Sequence, residues 1–135
     1  VDNLQARQIN TCAHIILGLP GEDGNDMMAT ASAVANLPIQ GVKIQLLHLL
    51  RATPLAEVYK QQPFPFLSQE EYVDLVTGSI EILPPSMVIH RLTGDGPRQM
   101  LLGPVWSRNK RAVLNAIDRE LVKKNSWQGK FYCKN

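Results

Sequence analysis

The feature that most constrains the fold is an apolar segment that ends abruptly in a glycine-rich loop. The segment Cys12–Leu17 leads into the loop Gly18–Glu22, and a helical pattern of apolar residues begins soon after. This order predicts a β-strand, a tight loop and a helix. In parallel α/β proteins such loops lie at the carboxyl ends of strands, where ligands bind. The loop therefore indicates a small-molecule site.

Strands and helices alternate along the chain. Strands are predicted at Cys12–Leu17, Val42–Leu50 and Met87–Thr93, and helices at 25–37, from Thr53 to about Gln61, at Ser68–Leu83 and at Ser107–Asn125. Asn25 or Asp26 is expected to cap the first of these helices, and Ser68 with Glu71 to form a capping box. Strands separated by helices favour a parallel sheet with right-handed crossovers. The expected fold class is therefore α/β.

The second predicted strand has one apolar face and one partly polar face. Val42, Ile44 and Leu46 share one face, whereas Lys43 and Gln45 share the other with the odd-numbered residues that follow, up to position 51. A doubly wound sheet is more often apolar on both faces, so the pattern favours part of an incomplete (β/α) barrel. Three strands leave pairing edges exposed. We therefore expect part of a larger barrel, or a unit that forms homo-oligomers through these edges.

The charge is distributed unevenly. Residues 107–135 carry eight Lys or Arg against two acidic residues, a net charge of +6, whereas residues 1–106 carry a net charge of −4. We expect residues 1–106 to form the β/α units and residues 107–135 a basic helix and tail. With Trp106 and Trp127 beside it, this helix could contact RNA or another polyanion. The alternative is a solvated helix face, with the aromatic residues anchoring the helix and tail.

Cysteine and histidine spacing does not indicate a metal site. Cys12 and Cys133 lie far apart, a usage that fits a reducing, cytoplasmic setting. His14, His48 and His90 lie on predicted strands without a diagnostic spacing, so we expect no metal ligation. The longest apolar runs are too short to cross a membrane, and we expect no membrane partner.

Five stretches resemble the C-terminal half of an uncharacterised family of radical S-adenosylmethionine (radical SAM) enzymes. They are HIILGLPGED at 14–23, GVKIQLLHLLRATPLAEVY at 41–59, SQEEYVDLV at 68–76, LPPSMVIHRLTGDGP at 83–97, and NKRAVLNAIDREL with SWQG at 109–129. The family is related to the elongator catalytic-subunit-like domain, and its members are often called Fe–S oxidoreductases. The stretches cover most of the chain in the family's order.

The resemblance implies a fold and a chemistry. Family members resemble a partial (β/α)6 barrel of the TIM-barrel type, in which a CxxxCxxC loop holds a [4Fe–4S] cluster. The cluster cleaves S-adenosylmethionine (SAM) to a 5′-deoxyadenosyl radical, which abstracts hydrogen from the substrate. This chain lacks the CxxxCxxC motif. We therefore expect the C-terminal part of a radical SAM protein whose partner is the missing N-terminal half of the barrel, and expect this part alone to be inactive and to bind neither cofactor.

The resemblance also places part of the adenosyl site on the glycine-rich loop. In relatives this loop lies against the adenine ring. Gly18 and Gly21 would let the backbone approach a flat ring. Leu19 and Pro20 would form an apolar surface, and Glu22 would begin the helix.

The ends of the second and third predicted strands carry the remaining candidates. By resemblance, Leu49, Leu50 and Arg51 would make further backbone contacts to the adenosyl group. Arg91 is a candidate clamp for an anionic group of the substrate, with Asp95 in the loop that follows. The alternative is an internal ion pair between Arg91 and Asp95 that braces the loop.

Overall fold

A computed structural model describes residues 1–133 and shows a mixed α/β fold. The helices are α1 (Asp2–Ala6), α2 (Gly24–Ala35), α3 (Pro54–Gln61), α4 (Gln69–Ile82) and α5 (Lys110–Lys123). The strands are β1 (Cys12–Leu17), β2 (Gly41–Leu46), β3 (Leu49–Leu50), β4 (Val88–Arg91) and β5 (Leu101–Gly103). A 3-10 helix at Val105–Arg108 precedes α5. Within residues 1–133, no helix has the length and apolar character needed to span a bilayer.

The main sheet is parallel, as predicted from the alternation of strands and helices. Its spatial order is β1-β2-β4, and both neighbouring pairs run in the same direction. Helix α2 connects β1 to β2, and α3 and α4 lie between β2 and β4 in the chain. Such crossovers are required because parallel neighbours cannot be joined by a tight hairpin. The fold is therefore a series of parallel β/α units.

The core lies on one face of this sheet. β2 directs Val42, Ile44 and Leu46 towards the helices, and these side chains are at most 5% exposed. The helices complete the core with Met27, Ala31 and Val34 from α2, with Tyr72, Val73, Val76 and Ile80 from α4, and with Val113 and Ile117 from α5. On the opposite face, Ile16 is 44% exposed and Val88 is 55% exposed. The sheet therefore has one covered face and one open face.

Reciprocal caps define the starts of the two longest crossover helices. Asp23 Oδ1 accepts hydrogen bonds from the backbone N–H groups of Asn25 (2.7 Å) and Asp26 (3.0 Å), and Asp26 Oδ2 accepts one from Asp23 N–H (3.0 Å). These bonds satisfy N–H groups that have no partner inside the helix. Asp23 is therefore the N-cap of α2, and the prediction of Asn25 or Asp26 is wrong. The predicted capping box of Ser68 and Glu71 at α4 is confirmed.

The prediction of a single strand over Val42–Leu50 is wrong. β2 ends at Leu46, and the Leu47 N–H still donates to the Leu17 carbonyl at 2.9 Å. The chain then leaves the parallel sheet at His48. Leu49–Leu50 instead pairs antiparallel with Leu101–Gly103 in a separate two-stranded sheet. Leu49 is completely buried, so it does not continue the open face of β2.

The last helix starts later than predicted. α5 begins at Lys110 rather than Ser107, because the Asn109 side chain accepts a hydrogen bond from Ala112 N–H (3.1 Å) and caps the helix there. Val113 and Ile117 are completely buried in the same core as the strands. The division at residues 106 and 107 stays a prediction, and the last two residues of that segment, 134–135, lie outside the described residues.

Because the core lies on one face of the sheet, the same isoleucine-to-alanine substitution should change the free energy of unfolding unequally on β2 and on β1. Ile44→Ala removes a completely buried side chain and should lower the free energy of unfolding by about 2–5 kcal/mol. Ile16→Ala, on the open face, is the matched control and should cost less than about 1 kcal/mol. Urea unfolding followed by circular dichroism measures both. Equal losses would contradict a core on one face only.

Candidate functional site

Three chain segments meet at one edge of the parallel sheet. Because β1, β2 and β4 are parallel, their carboxyl ends lie at the same edge, which is where α/β proteins bind ligands. The segments that follow these strands are the glycine-rich loop (Gly18–Glu22), residues 47–53, and the loop Thr93–Pro97, here called the TGDGP loop. This edge therefore carries all the site residues predicted from the sequence.

The glycine-rich loop is a tight turn with an open outer surface. Glu22 N–H donates to the Leu19 carbonyl at 3.2 Å, with Pro20 second in the turn and Gly21 third at φ +84°. These are the residue types and the positive φ that a type II turn requires. Leu19 is 37% exposed. Glu22 lies in the turn and does not begin the helix, which starts at Gly24.

The two glycines of this loop differ in their surroundings. Gly18 has φ +87°, and a Cβ at this position would lie 3.2 Å from Leu67 Cδ1. The positive φ therefore favours glycine at position 18, and the Leu67 side chain leaves little room for a Cβ there. A Cβ at Gly21 would meet no atom within 4 Å. Gly21 is thus the position where a ligand could approach the backbone closely.

The segment Leu49–Arg51 has already used much of its backbone hydrogen bonding within the protein. Arg51 N–H donates to the Met100 carbonyl (2.8 Å), and the Leu50 carbonyl accepts a hydrogen bond from Thr53 Oγ1 (2.8 Å). Leu49 is paired with Gly103 across the short sheet. Arg51 itself is exposed. The sequence predicted that backbone groups of this segment contact the adenosyl group. In the structure the Arg51 side chain is more accessible than those backbone groups.

An irregularity in β4 determines where Arg91 lies. Ile89 and Leu92 both pack against the core, although a regular strand would place residues three apart on opposite faces. The pairing with β2 shifts at this point, and Arg91 comes into register with Lys43. Partners in a parallel pair point the same way, so the bulge puts Arg91 on the open face.

Asp95 does not form the ion pair with Arg91 that the sequence allowed. Its carboxylate lies 3.5 Å from Lys110 Nζ at the start of α5. Both side chains are substantially exposed, so this pair stabilises the fold little. Within residues 1–133 no ion pair joins Arg91 to Asp95, and Arg91 remains a candidate clamp for an anion.

His48 fills the TGDGP loop, a contact that the sequence analysis did not predict. A Cβ at Gly94 would lie 2.7 Å from His48 Cε1, and one at Gly96 would lie 2.8 Å from His48 Nδ1. A side chain at either position would therefore require the His48 ring to move. Burial lowers the pKa of His48, and the nearby Asp95 opposes this effect in part. In the sequence, Gly94 and Gly96 indicate a turn, but they do not indicate that the His48 side chain packs into it.

The basic helix and tail are partly engaged in contacts within the protein. Lys124 Nζ lies 3.3 Å from Asp74 and 3.5 Å from Glu120. Lys130 Nζ donates to the Asn125 carbonyl (3.0 Å) and lies 5.2 Å from the centroid of the Trp127 ring. The two tryptophans beside the helix differ in their surroundings. Trp106 is anchored by a hydrogen bond to the Leu67 carbonyl, whereas Trp127 is 57% exposed. Polyanion binding by this region stays a prediction.

The described residues contain no metal centre of three or more ligands. Among residues 1–133, no group of three or more His, Cys, Asp or Glu side chains could hold a metal ion. Cys12 and Cys133 are both free thiols. The groups available to a ligand at the sheet edge are therefore backbone groups, apolar surface and both basic and acidic side chains.

The burial of His48 predicts that acid destabilises the protein. Because the folded state binds a proton at His48 less readily than the unfolded chain, protonation favours unfolding. Stability should fall as the pH drops below the ordinary histidine pKa of 6.5. Urea unfolding between about pH 8 and about pH 5 measures this slope, and His48→Gln should reduce it. His14→Gln is the matched control, because His14 is exposed. An unchanged slope in His48→Gln would contradict the assignment.

Two curated proteins are similar to nearly the whole chain. The chain is 52% identical over 132 residues to the "Uncharacterized protein YtqA" of Bacillus subtilis (strain 168), covering 98% of this chain and 41% of that protein. It is 34% identical over 130 residues to the "Uncharacterized protein MJ0486" of Methanocaldococcus jannaschii, covering 96% of this chain and 40% of that protein. The chain thus spans less than half the length of these curated relatives.

A solved structure shares the fold. The archaeal Methanocaldococcus infernus Elp3 with an N-terminal deletion superposes with a TM-score of 0.78 at 17% identity, covering 93% of this chain and 29% of that one. At this identity the likeness concerns the fold alone. Residues 39–123, more than half of the chain, match the family model described as the Radical_SAM C-terminal domain. The chain therefore belongs to the Radical_SAM C-terminal domain family.

Proposed function

We propose that this chain is the C-terminal part of a radical SAM Fe–S oxidoreductase and that its glycine-rich loop contributes to the adenosyl site. Family membership supports the reaction class. The main support for the proposed adenosyl site is the open surface over Gly21, at the carboxyl edge of a parallel sheet. A flat ring can approach the backbone there without a clash.

The described residues fit one part of the cofactor set. When bound, SAM and a [4Fe–4S] cluster provide one-electron chemistry that removes a hydrogen atom from a substrate. A cluster needs three or more ligands, and residues 1–133 contain no such group. The adenosyl group needs an apolar surface and close backbone approach, which the turn at Leu19–Gly21 offers. We therefore assign cluster ligation to a part of the protein outside this chain.

The role of the turn is to position a ring and exclude water from it. Leu19 offers an exposed apolar side chain beside Gly21, and Pro20 fixes the backbone between them. The reciprocal cap between Asp23 and Asp26 ties the end of the turn to α2. A preorganised turn of this kind loses little conformational freedom when a ligand binds.

Arg91 is proposed to bind an anionic group of the substrate on the open face. Its register partner is Lys43, so two basic residues occupy neighbouring positions on adjacent strands. Like charges at neighbouring positions repel each other. A bound carboxylate or phosphate would relieve that repulsion and accept hydrogen bonds from the guanidinium group.

The proposed partner is the preceding part of the same barrel. Within the described residues β1 pairs with β2 alone, so its other edge has unpaired backbone groups. A preceding strand would satisfy them and turn the open face into a barrel lumen. A second copy of this chain at the same edge is the alternative. Free thiols and an iron–sulfur cluster both suit a reducing compartment, and we propose a cytoplasmic location.

The reading frame upstream of Val1 tests the proposed reaction class. We expect a CxxxCxxC motif within roughly 150–250 residues, about the length of a barrel. The longer polypeptide, purified without oxygen, should contain a [4Fe–4S] cluster and release 5′-deoxyadenosine when SAM and a reductant are added. An upstream reading frame without the CxxxCxxC motif would contradict the proposal.

The adenosyl role of the turn predicts a specific effect of a bulkier residue at Gly21. Asn tolerates a positive φ better than other side chains, so Gly21→Asn should keep the turn while its side chain fills the open surface. In the longer polypeptide, the Kd for SAM should rise by about tenfold. Gly24→Ala is the matched control, because its Cβ would make an ordinary 3.8 Å contact with Leu75. Equal affinities in both variants would remove the turn from the site.

A further inference from the structure

The TGDGP loop helps to enclose a small cationic cavity that the proposed function does not use. The cavity has a volume of about 120 Å³ and is lined by residues from three separate segments. His48 follows β2, Asp95 belongs to the loop after β4, and Arg108 and Lys110 lie at the start of the C-terminal helical region. Arg98 completes the basic lining.

Positive charge exceeds negative charge in this lining. Arg98, Arg108 and Lys110 face a single carboxylate, that of Asp95, which pairs with Lys110 at 3.5 Å. Arg108 Nη2 donates to the Leu101 carbonyl at 3.2 Å. That bond orients the guanidinium group and uses one of its five N–H donors. About two positive charges are therefore left without a partner on the lining.

Unused hydrogen-bonding groups lie beside these charges. His48 Nε2 is buried and has no hydrogen-bond partner among residues 1–133. Within residues 1–133, the backbone N–H groups of Gly94, Asp95 and Gly96 also donate no hydrogen bond. Buried polar groups usually have a partner, so His48 Nε2 and these loop N–H groups, whose residues line the cavity, are available to a ligand that enters it.

We propose that this cavity binds one oxyanion group, a phosphate or a carboxylate, of a small molecule. Its volume of about 120 Å³ is several times the roughly 30 Å³ that one water molecule occupies in the liquid. It has room for a single such group, with the remainder of the ligand extending towards solvent. The site stands independently of the adenosyl role, since it uses neither the glycine-rich loop nor a cluster.

Anion titration of the 135-residue chain tests the proposal. The ¹⁵N-labelled chain is titrated with inorganic phosphate and, separately, with malonate, at constant ionic strength set by sodium chloride. We expect saturable shifts of the Gly94 and Gly96 amide signals and of the His48 imidazole nitrogens. Saturation by phosphate alone assigns a phosphate group, and saturation by malonate alone assigns a carboxylate. Saturation by neither anion overturns the proposal.

Charge variants separate a built site from general attraction of anions. Arg108→Gln and Lys110→Gln should each raise the Kd by about tenfold, the effect of losing one charge-assisted hydrogen bond. Arg119→Gln is the matched control, because Arg119 lies on α5 like Lys110 but does not line the cavity. Thermal unfolding of each variant shows whether the fold is kept. Equal weakening in all three variants, or none in Arg108→Gln, overturns the proposal. The titration needs no SAM, so its failure would leave the adenosyl assignment unaffected.

Discussion

The burial of one face of the parallel sheet is the constraint on which the rest of the structure depends. Each parallel connection carries a helix across the sheet, and because the strands follow one another in the order β1-β2-β4, crossovers of one hand place those helices on the same side. α2 and α4 therefore fill the space above Val42 and Ile44, both completely buried. Tyr72 joins this core to the residue that follows β4, since its hydroxyl donates to the Leu92 carbonyl at 2.9 Å. The same arrangement brings all three strand ends to one edge.

Local periodicity predicted the elements that contribute to this core and their parallel arrangement, but not the antiparallel pairing of β3 with β5. The apolar faces of β1, β2 and α4 follow regular spacings, and the Ser68–Glu71 cap is a local signal. Leu46–Leu50 has the composition of a continuing strand, so nothing local marks the departure at His48. The partner of β3 is a three-residue strand about fifty positions away, and a segment that short has no detectable period.

The candidate site shows the same division between local and tertiary information. The sequence indicated a turn at Gly18–Glu22, and the turn is present. It could not show that the Leu67 side chain crowds Gly18 while Gly21 is open, because Leu67 approaches from another part of the chain. It could not reveal the cavity at His48 either, since three segments contribute to it. The bulge that turns Arg91 to the open face likewise depends on the pairing with β2.

The separation of the sheet into a covered and an open face has an evolutionary consequence. Side chains such as Ile44 are packed on every side, so they can be exchanged only for others of similar volume. His14 and Val88 on the open side are exposed, and substitutions there alter stability little. Mutation can therefore change the chemistry presented by the strands without loosening the scaffold. A lineage built on this three-stranded sheet could diversify its ligands while conserving its architecture.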